Sequence, residues 1–329
     1  MTDEAIPDTA PTDDRPRPPM RRWPLVAAIV ALVTVALCLI TAWGGIWASH
    51  PAYWSTLLMV SGISGGMLWW ARRSPTPTGL GPFRFWLPRA ALVLGTLVTV
   101  LALVYLRPLT ADGVAIDATS ATGGVEVDES MSEIRFVPAD PKGTGLVFYP
   151  GAKVDPRAYS RLLRPLAEAG YTVVVVKFPY NLAVFGIDAA DSVNGDDDGI
   201  DRWVVGGHSL GGAMAASYAG DTRGELAGLL LWAAYPAPGL SGSEGFGGLD
   251  VTSIYGTEDQ LATVADIEGS RSQLPADTTF VAVEGGIHAY FGDYGSQSGD
   301  GTATISREDA QQQILDATLA QLDRVDAAG

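Results

Sequence analysis

The sequence predicts a doubly wound α/β domain with a mostly parallel sheet, preceded by three transmembrane helices. Two observations lead to this prediction. Residues 1–106 contain three long apolar runs, whereas residues 107–329 alternate short apolar runs with helical segments. Long apolar runs without charge are typical of helices that cross a bilayer. Strands that alternate with helices are typical of a parallel sheet with helices on both faces.

The three apolar runs cover residues 25–47, 53–70 and 90–106. Arginines precede the first run and separate the second from the third, but none lies in the short loop 48–52: Arg15, Arg17, Arg21, Arg22, Arg72, Arg73, Arg84, Arg89. Because positive charge collects on the cytoplasmic side, residues 1–24 are predicted to form a disordered cytoplasmic tail, and residues after Arg107 to lie outside the cytoplasm. Cleavage of the first run as a signal peptide would leave the C-terminal part on the same side. The chain is therefore expected in the cell membrane as a multi-pass protein.

The charge of the outer part restricts its partners. Residues 107–329 carry a net charge of −19, against +3 for residues 1–106. Such an acidic domain repels nucleic acid, so no nucleic-acid partner is expected. The only cysteine, Cys38, lies in the first apolar run, which leaves the outer domain without a disulfide or a thiol nucleophile.

The outer domain begins with a tether and edge strands over residues 107–142, in which short alternating runs surround Val125 and Ile134. From residue 143 to the end, Val-rich and Leu-rich runs predict strands buried on both faces of a sheet. They cover residues 146–149, 171–178, 203–206, 226–232, 251–255 and 278–283. A helix is predicted over 155–169, and a last helix after Ser306, which forms a capping box with Asp309.

The segment Gly207-His208-Ser209-Leu210-Gly211-Gly212 stands between the strand at 203–206 and a run of small helical residues. In the order strand, glycine turn, helix, the pattern Gly-x-Ser-x-Gly predicts a nucleophile elbow. Glycines on both sides of Ser209 let the chain turn where a Cβ would collide, and the serine can then take up a strained, exposed conformation. Ser209 is the predicted nucleophile.

A serine nucleophile needs a histidine base that is oriented by a carboxylate. Of the three histidines, His50 lies between apolar runs and His208 is the variable residue of the elbow. His288 follows the last strand in a glycine loop and is the predicted base. The acid is expected between serine and histidine, just after a strand, where Glu258 and Asp259 stand, with Asp266 further along.

These motifs together resemble the α/β-hydrolase superfamily, in particular the compact bacterial fold-5 group that is related to dienelactone hydrolases. The resemblance covers about residues 145–322. It implies that Asp259, in the turn that follows the penultimate strand, is the triad acid, and that an ester-like bond is hydrolysed. No cofactor is expected. Dienelactone hydrolases carry cysteine where this chain has Ser209, which argues against a lactone substrate.

An oxyanion hole needs two backbone N–H groups directed at the developing negative charge. Leu210, the residue after the nucleophile, supplies one at the start of a helix. The loop after the first central strand supplies the other, and the resemblance favours Ala152, with Gly151 next. Four aromatic residues are candidates for an acyl pocket: Tyr180, Trp232, Tyr235 and Phe291.

The stretch 233–250 is short and rich in glycine and serine, and it shows no lid helix. We therefore expect an open site that takes small or polymer-attached esters. The acidic run from Asn194 to Gly199 copies the start of a calcium loop, but its twelfth position is Val205, where a bidentate glutamate is required. A solvated turn is the expected structure, and no metal site is predicted.

The sequence thus predicts a membrane-anchored serine hydrolase that cleaves a carboxylic ester or thioester through an acyl-enzyme. Two alternatives remain. The same triad would serve an acyltransferase acting on a cell-envelope acceptor, and an α/β-hydrolase scaffold without activity would serve as a binding module.

Overall fold

The computed structural model describes residues 22–73, 82–121, 123–194, 199–222, 226–237 and 243–329. Most of the predicted tail 1–24, the centre of the acidic run at 195–198 and part of the stretch 233–250 lie outside the described residues. By internal contacts the chain divides into two units. The second unit joins residues 37–57 to residues 103–329.

The three N-terminal apolar runs form the helices α1 (Arg22–Ala48), α2 (Ala52–Arg73) and α3 (Pro82–Tyr105). Within the described residues, α1 and α3 are long and apolar enough to cross a membrane, and α2 is not. Serines and glycines interrupt α2 in the run Ser61-Gly62-Ile63-Ser64-Gly65-Gly66, which lowers its mean hydropathy. The prediction of three spanning helices is therefore supported for two of them. Membrane spans and signal sequences share this length and composition.

Among its described residues, the second unit is built on a sheet of eight strands. They are β1 (Val125–Glu129), β2 (Glu133–Pro138), β3 (Thr144–Tyr149), β4 (Thr172–Val176), β5 (Arg202–His208), β6 (Gly228–Trp232), β7 (Asp250–Gly256) and β8 (Thr279–Val283). Their order is β1-β2-β4-β3-β5-β6-β7-β8. β1 and β2 form an antiparallel hairpin that pairs antiparallel with β4, and the six strands from β4 to β8 are parallel. The predicted, mostly parallel sheet with edge strands is confirmed.

In the described part of the chain, six further α-helices accompany the sheet. They are α4 (Gly113–Asp117), α5 (Ser160–Glu168), α6 (Asp191–Asn194), α7 (Leu210–Asp221), α8 (Val264–Ser270) and α9 (Arg307–Ala327). Asp155 caps a short 3₁₀ turn, so the helix predicted over 155–169 begins as α5 at Ser160. Ser306 caps α9 by accepting a hydrogen bond from the N–H of Asp309, as predicted.

Both faces of the sheet are buried. In β3, Leu146 and Phe148 face the side that α5 and α9 cover, and Val147 and Tyr149 face the side of α7. Successive residues of a strand point to opposite faces, so a continuous apolar strand supplies both cores. The parallel strands end at one edge of the sheet, and the loops that follow β3, β5, β7 and β8 meet there.

Candidate active site

Ser209 lies in the sharp turn between β5 and α7. Its backbone has φ 54° and ψ −125°, a conformation that residues other than glycine rarely adopt. The N–H of Ser209 donates to the carbonyl of Trp232 at 2.9 Å, which fixes the turn on the neighbouring strand. The side chain is half-buried at the end of the sheet. Ser209 thus has the backbone geometry that the elbow motif predicts.

The glycines of the motif are required by close packing. A Cβ on Gly207 would lie 2.5 Å from the carbonyl oxygen of Tyr149 and 2.7 Å from the backbone of Gly211. A Cβ on Gly211 would lie 2.1 Å from the oxygen of Tyr149 and 2.3 Å from that of Pro150. Side chains at these positions would force β3, β5 and α7 apart. The elbow therefore forms only because both residues lack a Cβ.

His288 and Asp259 form a buried pair at the same edge. Nδ1 of His288 donates to Oδ2 of Asp259 at 2.8 Å, and each residue is 1% exposed. The other oxygen, Oδ1, accepts from the N–H groups of Leu261 and Ala262 at 2.7 and 2.8 Å. These bonds fix the carboxylate, which in turn fixes the imidazole with Nε2 as its free nitrogen.

The loops after β7 and β8 are joined by backbone hydrogen bonds, which bring the pair together. The N–H of Glu258 donates to the carbonyl of Gly286 at 2.9 Å, and the N–H of Gly285 donates to the hydroxyl of Thr257 at 2.8 Å. A Cβ on Gly256 would lie 2.4 Å from the oxygen of Gly286. The glycines that flank both loops thus permit the close approach.

The two alternative acids have other positions. Asp266 caps α8, where its carboxylate accepts from the N–H and the hydroxyl of Thr263 at 3.0 and 2.6 Å. Glu258 is half-buried, and its carboxylate makes no hydrogen bond with His288 within the described residues. Of the three candidates, the structure brings only Asp259 into hydrogen-bond contact with His288.

Asp300 also holds the loop that carries His288, a role that no sequence pattern predicted. Its Oδ1 accepts from the N–H of His288 at 3.1 Å, and its Oδ2 accepts from the N–H of Ala289 at 2.8 Å. These bonds cap the short 3₁₀ turn that begins at His288. Aspartates between glycines are common in turns, so the sequence around Asp300 does not indicate that it holds the loop of His288.

His208 lies behind the elbow against His288, with 4.6 Å between the two ring centroids. It is 1% exposed, its Nδ1 lies 2.9 Å from the hydroxyl of Tyr159, and its ring stacks on Phe291. Burial, and then the charge of a protonated His288, hold the pKa of His208 well below its usual value. A neutral His208 can therefore lie beside His288 without repelling an imidazolium there.

The predicted oxyanion residues surround the elbow. The N–H groups of Leu210 and Ala152 make no hydrogen bond within the described part of the chain. The N–H of Gly151, in contrast, donates to the hydroxyl of Tyr159 at 2.8 Å. Gly151 therefore already uses the group that an oxyanion would need, and Ala152 is the better candidate.

Two of the predicted pocket residues are core residues, and that part of the prediction is wrong. Trp232 is fully buried beneath α9, where its indole N–H donates to the hydroxyl of Thr318 at 3.1 Å. Phe291 is fully buried and stacks on His208. Both side chains belong to the core on the α5 and α9 side of the sheet.

The other two pocket residues are partly exposed. Tyr235 follows β6, and burial together with the carboxylates of Asp266 and Asp259 raises the pKa of its phenol. Tyr180 lies after β4, and its hydroxyl is 2.9 Å from that of Thr56. Among the described residues, no group of three or more His, Cys, Asp or Glu side chains is arranged to hold a metal ion.

Comparison with known proteins gave a family match. Residues 145–313 match the model of a family described as the alpha/beta hydrolase family. No curated protein matches the chain.

Several solved structures are similar to this chain. A ferulic acid esterase from Streptomyces cinnamoneus is 19% identical, with 56% of this chain and 67% of that chain covered and a TM-score of 0.44. A monoacylglycerol lipase from Paleococcus ferrophilus is 14% identical, with 60% and 99% covered and a TM-score of 0.45. A dienelactone hydrolase-like promiscuous phosphotriesterase, P91, from metagenomic libraries is 14% identical, with 58% and 92% covered and a TM-score of 0.44.

Proposed function

The chain belongs to the alpha/beta hydrolase family, and we propose that it is a serine hydrolase that cleaves a carboxylic ester or thioester. The observation that carries this proposal is the buried hydrogen bond of 2.8 Å between His288 and Asp259, beside a serine held at φ 54°. A buried acid–base pair at the sheet edge that also carries a half-buried, strained serine is the arrangement that acyl transfer to serine requires.

In the proposed reaction, Oγ of Ser209 attacks the acyl carbonyl while Nε2 of His288 takes the hydroxyl proton. Asp259 holds the Nδ1 proton and stabilises the imidazolium. His288 then gives its proton to the leaving alcohol or thiol, which leaves the acyl group on Ser209. A water molecule, deprotonated by His288, attacks this acyl-enzyme. The bond between the acyl carbon and Oγ of Ser209 then breaks, His288 returns the proton to Oγ, and the acid is released.

The hydroxyl of Ser209 makes no hydrogen bond within the described residues, so the bond from Oγ to Nε2 is one that substrate binding must form. Catalytic hydrogen bonds commonly tighten in this way when the substrate binds. The free N–H groups of Leu210 and Ala152 are the proposed oxyanion donors. Removal of one such donor typically lowers kcat about 10²- to 10³-fold.

The neutral state of His208 supports His288 as the base. His208 is fully enclosed and its Nδ1 is engaged by Tyr159. A charged ring 4.6 Å from His288 would oppose the imidazolium that forms in the transition state. With His208 held neutral, the proton taken from Ser209 can reside on His288.

The proposed substrate is a small or polymer-attached ester. No lid is expected over the site, and the net charge of −19 over residues 107–329 disfavours nucleic acid. Partly exposed Tyr235 and Tyr180 are the proposed wall of the acyl pocket.

The activity is tested on the purified full chain in detergent with p-nitrophenyl esters of increasing chain length. We expect turnover by the parent and a loss of at least about 10³-fold in Ser209→Ala. The matched control is Ser192→Ala, which removes an exposed hydroxyl bonded only to a backbone carbonyl. Equal rates in Ser209→Ala and the parent would refute the mechanism. Product analysis with added alcohols distinguishes hydrolysis from acyl transfer. Hydrolysis releases the free acid, whereas acyl transfer is supported if the ester of the added alcohol is the main product at millimolar concentrations of that alcohol.

We also propose that the N-terminal helices anchor the chain in the cell membrane as three spans, with residues 107–329 outside the cytoplasm. The supporting observations are the two helices of spanning length and the arginines that lie at and before the start of α1, in the last turn of α2 and in the N-terminal part of α3. The test is cysteine labelling with a membrane-impermeant maleimide on intact cells, in a Cys38→Ser background. Ser298→Cys should react and Ala10→Cys should react only after permeabilisation. Labelling of Ala10→Cys on intact cells, with Ser298→Cys labelled only after permeabilisation, would show the opposite topology.

A further inference from the structure

Three residues with left-handed backbones gather beside the proposed oxyanion donor Ala152. They are Lys153 at φ 63°, Tyr180 at φ 56° and Asn181 at φ 53°. Such conformations cost about 1–3 kcal/mol each for residues other than glycine and persist only where surrounding contacts impose them. Some of the contacts made by these three residues come from the N-terminal helices and the connection between them.

Lys153, the residue after Ala152, is held from several sides. Its N–H donates to the carbonyl of Asn181 at 2.7 Å, and its carbonyl accepts from the N–H of Leu109 at 2.7 Å. Its ammonium group lies 4.2 Å from the ring centre of Tyr105, at the end of α3. The lysine is thus fixed by the segment that leaves α3 and by the loop after β4.

Asn181 is fixed in turn by the connection between α1 and α2. Its Nδ2 donates to the hydroxyl oxygen of Ser49 at 2.8 Å, and the hydroxyl of Ser49 donates to the carbonyl of Gly45 at 2.5 Å. Both side chains are buried. The hydroxyls of Tyr180 and Thr56 lie 2.9 Å apart, which adds a second bond between the same two segments.

The last turn of α1 lies close to the same loop. A Cβ on Gly45 would lie 3.0 Å from Thr110 and 3.3 Å from the carboxylate of Asp155, which follows Lys153 by two residues. Residues 37–57 accordingly group with residues 103–329 in one unit. The connection between the first two helices therefore packs against the loop that carries Ala152.

We infer that Ser49 and Asn181 are positioning residues for the oxyanion loop, so that the connection between α1 and α2 is part of the catalytic unit and not only a tether. The path runs from Ser49 through the amide of Asn181 and its carbonyl to the N–H of Lys153, and so to the adjacent peptide of Ala152. This inference rests on the proposed function, because it assigns the N–H of Ala152 to the oxyanion.

The consequence is a specific loss in kcat. Loss of one oxyanion donor lowers kcat about 10²- to 10³-fold. A donor that is displaced but still present causes a smaller decrease, so Ser49→Ala should lower kcat about 5- to 50-fold. KM should change less than about twofold, because the oxyanion forms only in the transition state. A trifluoromethyl ketone, which forms a tetrahedral adduct with the serine, should bind more weakly by the same factor as kcat falls.

The experiment compares full-chain variants in detergent. Ser49→Ala removes the hydroxyl that accepts from Asn181, and Ser49→Thr retains a hydroxyl and should restore kcat. Asn181→Asp keeps a residue that tolerates a left-handed backbone but removes the amide donor. The matched control is Ser55→Ala, an exposed serine of α2 whose hydroxyl donates only to the carbonyl of Ala52. Size-exclusion chromatography and circular dichroism verify that each variant is folded.

A second readout does not depend on catalysis. Hydrogen exchange at the amide of Lys153 should accelerate in Ser49→Ala and Asn181→Asp but not in Ser55→Ala. The inference is overturned if the parent hydrolyses esters in a Ser209-dependent manner while Ser49→Ala retains the kcat, the inhibitor affinity and the Lys153 exchange rate of Ser55→Ala. If the parent does not hydrolyse esters, the proposed function is refuted, together with the catalytic role assigned to Ser49 and Asn181. Faster exchange of the Lys153 amide in the variants would then show only a structural role for these two residues.

Discussion

The hydroxyl of Tyr159 lies 2.9 Å from Nδ1 of His208, and both residues are enclosed in the core. The same hydroxyl accepts from the N–H of Gly151 at 2.8 Å. The direction of the bond between Tyr159 and His208 follows the tautomer of the ring, since the hydroxyl can donate to Nδ1 or accept from it. One phenol thus connects the residue before the nucleophile to the loop that carries Ala152.

Removal of this hydroxyl should destabilise the protein. Tyr159→Phe leaves the N–H of Gly151 and Nδ1 of His208 without a partner in a buried site. An unsatisfied buried group costs about 1–3 kcal/mol, so we expect a loss of about 2–4 kcal/mol, measured by denaturant unfolding of the full chain in detergent. Tyr290→Phe is the matched control, because the Tyr290 hydroxyl makes no hydrogen bond within the described residues. Similar stability in both variants would contradict the assigned network.

His208 should make stability depend on pH. Its pKa in the folded state lies well below the value of about 6.5 expected when unfolded, chiefly because burial penalises the charged ring. Below about pH 6.5 the unfolded chain therefore binds a proton that the folded chain does not. The contribution of neutral His208 to the free energy of unfolding is therefore complete above this pH. On acidification below it, this contribution falls by up to about 1.4 kcal/mol per pH unit.

Denaturant unfolding of the parent and of His208→Asn between pH 7.5 and 5.5 measures this contribution. The parent should lose about 1 kcal/mol more than the variant over that range, because the variant lacks the titrating ring. Parallel stability curves would show that His208 is protonated in the folded state or does not contribute.

A methyl group in the elbow should be disruptive. In Gly211→Ala the new Cβ would lie 2.1 Å from the carbonyl oxygen of Tyr149, which only backbone movement can relieve. We expect a loss above about 4 kcal/mol or no folded protein in a thermal unfolding experiment. Gly269→Ala is the control, because Gly269 is an exposed residue of α8 and no heavy atom lies within 4 Å of its Cβ position. That variant should be about 0.5–1 kcal/mol more stable than the parent. A well-folded Gly211→Ala would be incompatible with the packing of β3 against α7.

Substitution of the acid should affect catalysis more than folding. In Asp259→Asn, the amide oxygen can still accept from Leu261 and Ala262, and its NH₂ group then faces Nδ1 of His288. The imidazole is forced into the tautomer that places its proton on Nε2, so kcat should fall about 10³- to 10⁴-fold. The assay is ester hydrolysis, with near-UV circular dichroism as the test of folding. Glu258→Gln should stay within about twofold of the parent, and the reverse order of effects would make Glu258 the acid.

The sequence predicted the elements whose signals are local. The Val-rich run that became β4 and the glycines around Ser209 each carry a short-range pattern with one physical explanation. No sequence pattern predicts which face of the sheet Trp232 occupies. Its strand is buried on both faces and has no alternation of polar and apolar residues that would distinguish them. Its indole proved to face Thr318 in α9.

Contacts between residues that are distant in the sequence were also not predicted. Tyr159 and His208 are 49 positions apart, and their hydrogen bond depends on how the turn before α5 packs against the end of β5. In α9 the periodic leucines Leu315 and Leu319 are only half-buried, while polar Gln321 is buried and donates to the carbonyls of Leu229 and Asp250. Hydrophobic periodicity alone assigns such a glutamine to the surface.

Covalent labelling of the native full chain with a fluorophosphonate probe, followed by mass spectrometry, measures whether Ser209 is an activated nucleophile. We expect a single adduct on Ser209, which disappears in Ser209→Ala and after heat denaturation. An unlabelled native chain, or an adduct that persists in Ser209→Ala, would contradict the role of Ser209 and favour a hydrolase scaffold that only binds.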